Sequence, residues 1–178
     1  AEAIAEAFAE WLCRRTRKSP LRIAVGHDSR ISAPALSESV LKGIERTGNV
    51  AIFTHLSSTP SMFMLLKDER WSADGSVMIT ASHLPFNRNG LKFFTAERGL
   101  ESEDVKEILT LASEAPFPEK AGGSRIDKPY LDAYAEDLVE KVRRATGETQ
   151  PLKGKRILVD AGNGAGGFYV DKVLKPLG

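Results

Sequence analysis

The chain has 178 residues, of which 42% are hydrophobic and 28% charged, and its net charge is +1. A chain of this size holds one full core and the start of another. Its balanced charge argues against a general nucleic-acid or membrane surface, and no apolar run approaches the roughly 18 residues of a membrane span.

The chain opens without a Met, already inside a helix whose apolar stripe is Ile4, Phe8, Trp11 and Leu12. It closes on Gly178 just after a helical stretch, so it is expected to be a fragment. Leu21 to Val25 reads as a strand, and the loop Gly26 to Ser32 leads to Pro34, well placed as a first helical residue. Leu36, Val40, Leu41 and Ile44 form one helical face that Gly48 ends. Asn49 to Phe53 is the next strand. Thr59 is expected to cap a helix begun by Pro60 and carrying Met62, Phe63, Leu65 and Leu66. Gly75 to Ile79 is a short apolar run between turn signals and reads as a buried strand; Leu91 to Phe94 returns as another. Ser102 is expected to cap a helix with Val105, Ile108 and Leu109 inward.

Pro116, Pro118, Gly122 and Gly123 mark a loop, and Pro129 to Arg144 reads as a connecting helix with Tyr130, Tyr134, Leu138 and Val142 on one stripe. After a second loop, Gly147 to Lys153, Arg156 to Asp160 reads as a new strand. The alternation of helix and strand points to an α/β sheet rather than a bundle. The expected fold is a three-layer α/β/α mixed-sheet domain over 1–152, followed over 153–178 by the first strand and helix of a second α/β domain. The single Cys13 cannot form an intrachain disulfide, which suits a reducing compartment. The expected compartment is the cytoplasm, with a plastid as the alternative if a leader precedes Ala1.

One stretch concentrates reactive groups: Thr80-Ala81-Ser82-His83, then Pro85, then Asn89-Gly90-Leu91-Lys92. It begins where the buried strand ends, and ligands of open α/β sheets gather beyond the carboxyl ends of strands. Asn89-Gly90 lets the chain turn back tightly. Strand alternation puts Leu91 and Phe93 on one face and Lys92 and Phe94 on the other, so Lys92 breaks the apolar pattern.

This stretch resembles the serine loop of the α-D-phosphohexomutases, the phosphoglucomutase and phosphomannomutase family, with its form T-A-S-H-N-P followed by N-G-x-K. Three further features match in order. They are Val25-Gly26-His27-Asp28-Ser29-Arg30, Thr59-Pro60, and Leu158-Val159-Asp160-Ala161-Gly162-Asn163-Gly164-Ala165-Gly166, which is similar to the family's second-domain opening. The resemblance implies that Ser82 is a phosphoserine relaying phosphate between C1 and C6 of a hexose phosphate through a hexose 1,6-bisphosphate. It implies that Lys92 is the general acid and base, and that His83 and Arg30 steady the loop and its phosphate. It further implies one Mg2+ held by the phosphate on Ser82 and by carboxylates outside this chain, so that the fragment alone does not isomerise a sugar. The implied partner is a hexose phosphate, with no nucleic acid and no membrane.

Each of these residues also has a plainer reading. Ser82 could be a turn former, Lys92 an edge-strand charge, His83 a structural histidine and Arg30 a surface residue. Leu84 stands where the family has Asn, and Leu cannot bond its own backbone. The loop is therefore expected to be held by packing of Leu84 and Phe86, and a non-catalytic binding or regulatory module stays open. Gly162, Gly164 and Gly167 also satisfy G-x-G-x-x-G between a predicted strand and helix, which permits a nucleotide-binding reading. Asp160 in that turn reads as a turn or cap residue. A hydrolase reading lacks a G-x-S-x-G elbow, and His83 is adjacent to Ser82 and would point away, leaving His27 or His55 as its base.

Overall fold

A computed structural model describes all residues, 1–178. Five strands form one sheet in the order β4-β3-β1-β2-β5. They are β1 (Arg22–His27), β2 (Val50–Leu56), β3 (Gly75–Ile79), β4 (Leu91–Thr95) and β5 (Ser124–Asp127). β1 lies parallel to β2 and β3, β2 is parallel to β5, and only β4 runs antiparallel, against β3. Helices α1 (Glu2–Thr16), α2 (Ala33–Arg46) and α4 (Ser102–Ala112) cover one face, while α3 (Thr59–Leu65) and α5 (Leu131–Thr146) cover the other. This is the expected three-layer α/β/α arrangement. No helix is long and apolar enough to cross a membrane.

The central strands are apolar on both faces because both are covered, and the period of two divides their side chains between two cores. Ile23, Val25, Val77, Ile79 and Phe93 meet Phe8, Trp11, Leu12, Val40, Leu41 and Ile108. Ala24, Ile52 and Met78 meet Met62, Leu65, Trp71, Tyr130 and Tyr134. Burial pushes the Tyr130 hydroxyl up to about 12 and that of Tyr134 up as well. In the first core the buried Glu6 carboxylate joins three segments, accepting from Arg46 Nε at 3.1 Å and from the Phe117 N–H at 3.0 Å.

Three helix starts differ from expectation by one residue, the first being α2, which begins at Ala33 and not at Pro34. Ser58, not Thr59, caps α3, through reciprocal bonds with Ser61 at 3.2 and 2.9 Å. Glu101, not Ser102, caps α4, with Asp104 Oδ2 accepting its N–H at 2.9 Å. The Arg98 guanidinium, 2.6 Å away, holds Asp104 below the usual carboxylate range.

Two larger differences lie in the C-terminal third. Ser124–Asp127 forms the edge strand β5, although the sequence pattern there gives no strand signal. The strand expected over Arg156 to Asp160 does not form: the segment is irregular, and Ile157, Leu158 and Val159 are exposed. A strand needs a hydrogen-bonding neighbour, and no strand of these residues pairs with it. The glycine-rich turn after it leads only into short helical turns over Ala165–Leu177, whose Val173 and Leu177 pack on Ala135 and Val139 of α5.

Candidate active site

Because β1, β2 and β3 are parallel, their carboxyl ends share one edge of the sheet, and the loops that follow them meet there. They enclose a cleft of about 600 Å³, lined by Asp28–Ile31 after β1, Ser57–Thr59 after β2, and Thr80, Ser82–Leu84 and Phe86 after β3. Met78 forms its floor, and Gly162–Ala165 of the glycine-rich turn lines it too.

Two local devices set these loops. Opposite β1, Phe53 pairs with Val25 but His55 pairs with Gly26, so Thr54 is an extra, bulged residue. Its buried hydroxyl donates to the Val25 carbonyl at 3.0 Å. Gly26 is the second: a Cβ there would lie 2.6 Å from both Met62 Sδ and Ser57 Oγ. Only glycine lets the wall at Ser57 come this close to β1.

Ser82 sits just past β3 with φ at +54°, a left-handed conformation that non-glycine residues adopt only when the surroundings hold them there. A chain of hydrogen bonds does so. The Ser82 N–H donates to Thr80 Oγ1 at 3.0 Å, and Thr80 Oγ1 donates to Asp28 Oδ2 at 2.7 Å. Asp28 in turn accepts from the Arg30 N–H at 3.1 Å and from Arg30 Nε at 3.2 Å. The base of the loop is closed by the Thr80 N–H donating to the Gly90 carbonyl at 2.9 Å.

Arg30 does most of the remaining holding. Its two terminal nitrogens donate to four main-chain carbonyls of the serine loop: Pro85 at 2.7 Å, Arg88 at 3.0 Å, and Ser82 and Leu84 at 2.9 Å each. With the Asp28 bond, all five guanidinium N–H donors are used. Arg30 therefore ties the loop together, and a phosphate would reach it only by displacing one of these bonds. Packing does not hold the loop, contrary to expectation, since Leu84 is 50% and Phe86 81% exposed. The guanidinium supplies the restraint that apolar contact was expected to give.

The Ser82 hydroxyl and the His83 imidazole are exposed, line the cleft and make no hydrogen bond to the protein. Lys92 is exposed on β4 outside the cleft lining; it pairs across the ladder with Met78, whose side chain forms the cleft floor. Neither histidine considered as a hydrolase base hydrogen-bonds Ser82. His27 Nδ1 lies 2.7 Å from the Asp28 carbonyl, and His55 Nε2 lies 2.9 Å from Asp127. The nucleotide reading loses its context with the missing strand, and Asp160 is a turn residue, its Oδ1 accepting the Gly162 N–H at 2.8 Å.

No group of three or more His, Cys, Asp or Glu side chains could hold a metal ion. Asp28, the carboxylate nearest Ser82 in this network, already has both oxygens occupied. These residues do not by themselves form a Mg2+ site.

Comparisons with known proteins bear on the family and the fold. The family profile described as phosphoglucomutase/phosphomannomutase, alpha/beta/alpha domain I, matches residues 1–119. A phosphoglucomutase of Neisseria gonorrhoeae is 31% identical over 93% of this chain and 34% of its own length. A phosphoglucosamine mutase of Serratia proteamaculans is 33% identical over 91% of this chain and 36% of its own. The chain thus spans about a third of the curated relatives it matches. A crystal structure of a phosphoglucomutase/phosphomannomutase family protein from Burkholderia thailandensis superposes with a TM-score of 0.78, at 22% identity, over 99% of this chain and 37% of that one. That likeness shows the fold, and the profile match shows descent: the chain belongs to the phosphoglucomutase/phosphomannomutase family.

Proposed function

We propose that this chain is the nucleophile-bearing part of a phosphohexomutase, and that Ser82 carries the phosphoryl group. The carrying observation is the strained, hydrogen-bonded presentation of an otherwise free Ser82 hydroxyl into a cleft at the carboxyl edge of the sheet. A turn-forming serine has no need of an arginine that spends four bonds on its loop.

In the forward step the bond between Ser82 Oγ and phosphorus breaks while a hydroxyl oxygen of the hexose phosphate bonds the same phosphorus; the hydroxyl proton leaves to a base, and the departing Ser82 oxygen takes up a proton to become a hydroxyl again. The resulting 1,6-bisphosphate then returns its other phosphoryl group to Ser82 by the reverse step. Splitting the transfer in this way replaces one unfavourable exchange by two similar ones, and positioning is the main demand on the protein. His83 on the cleft wall supplies a donor to the phosphoryl oxygens. Lys92, beside the floor residue Met78, is the proposed proton acceptor and donor. The phosphate on Ser82, together with carboxylates of a longer protein, would hold Mg2+, which would offset the charge of the transferring group, and turnover is proposed for that longer protein.

The test is made on the full-length protein. Intact-mass analysis should find a phosphoryl group on Ser82 that transfers to added glucose, mannose or glucosamine phosphate, and Ser82→Ala should abolish turnover. Undiminished interconversion by the alanine variant would end this reading.

A further inference from the structure

The glycine-rich turn contributes a group that the reaction above leaves unused. Gly162 and Asn163 have φ of +53° and +59°, and Gly164 closes the turn by donating to the Ala161 carbonyl at 2.7 Å. The Asn163 carbonyl accepts from Ser29 Oγ at 3.3 Å. Ser29 lies between Asp28 and Arg30, the residues that fix the serine loop, so the turn and that loop are referenced to the same short segment. The Asn163 main chain is thereby held on both sides. Its carboxamide, on the cleft lining, makes no hydrogen bond to the protein.

We propose that Asn163 is a substrate-contacting residue whose carboxamide hydrogen-bonds a hydroxyl of the sugar while the reacting phosphate faces Ser82. The proposal rests on the mutase reading. A left-handed position between two glycines is served at least as well by glycine, so the backbone alone does not ask for Asn. What Asn adds is a neutral group that both donates and accepts, the same pairing that a sugar hydroxyl offers. A phosphate would call for cations. The only ionised side chain of the turn is Asp160, an anion directed at the Gly162 N–H.

Asn163→Gly removes the carboxamide and keeps the backbone conformation. In the full-length protein, kcat/KM is compared for whichever of glucose, mannose and glucosamine 1-phosphate is turned over fastest and for its deoxy analogues, each lacking one hydroxyl. The expected result is a fall of about tenfold with the parent sugar, the size of one neutral hydrogen bond. No further fall should occur with the one analogue that lacks the contacted hydroxyl, and the melting temperature and Ser82 phosphorylation should stay unchanged. An equal fall with every analogue, or a loss below about twofold on the parent sugar, overturns the proposal. A parallel Ser82→Ala variant separates the failures: if it is inactive, only the assignment of Asn163 falls, and if it remains active, both readings fall.

Discussion

Replacing Arg30 with alanine should loosen the serine loop without unfolding the domain. The guanidinium makes four bonds to loop carbonyls, at 2.7 to 3.0 Å. The carbonyls lie on an exposed loop, so water partly replaces what the arginine gave. Each bond is then worth about 0.5–1 kcal/mol net, or about 2–4 kcal/mol together. At about 1.4 kcal/mol per factor of ten, the native arrangement of residues 82–88 should lose between about 30-fold and about 1000-fold in population relative to open forms. Amide hydrogen exchange reads this directly. Loop amides of Arg30→Ala should exchange faster by that factor, while amides of β1 and β3 keep their protection. Arg30→Lys keeps the charge, but its three donors radiate from one atom and cannot span the four carbonyls, so it should recover only part of the effect. Phosphorylation of Ser82 in the full-length protein should slow in parallel. Unchanged exchange over 82–88 in the alanine variant would refute the idea that this side chain organises the loop.

Gly26→Ala should lower stability by about 1–3 kcal/mol, because the added methyl meets Ser57 and Met62 inside contact distance; an unchanged urea midpoint would contradict this. Asp104 has a depressed folded-state pKa, so its contribution is present above the ordinary carboxylate value near 4 and is lost as pH falls through the folded value. Asp104→Asn should therefore lower stability at neutral pH and flatten its decline below about pH 4, as read from denaturant titrations at several pH values. Equal acid slopes in the two proteins would count against the Arg98 pairing.

Most of the sheet was legible because its central strands are short apolar runs bounded by turn residues, and the helices carry clear apolar stripes. The site loop was legible as a motif, and its position at the end of β3 followed from the strand before it. β5 was not legible: Ser124–Asp127 carries Arg and Asp with a single Ile, and it is a strand because β2 offers an open edge. Arg156 to Asp160 failed in the opposite sense, having the composition of a strand but no neighbour. The role of Arg30 was only half visible. Spacing could mark it as near the loop, but nothing in the sequence says that its acceptors are carbonyls 52 to 58 positions away. The bulge at Thr54 is likewise a register event that composition does not record.

That Arg30 grips the serine loop by its peptide oxygens and not by its side chains has an evolutionary consequence. Every amino acid carries the same acceptor, so positions 84 and 86 are free to drift while the cradle beneath them keeps its shape. The exposed Leu84 then shapes the face offered to incoming solutes, and leaves the restraints on Ser82 untouched. Change at the rim and preservation of the backbone geometry around Ser82 thereby become separable.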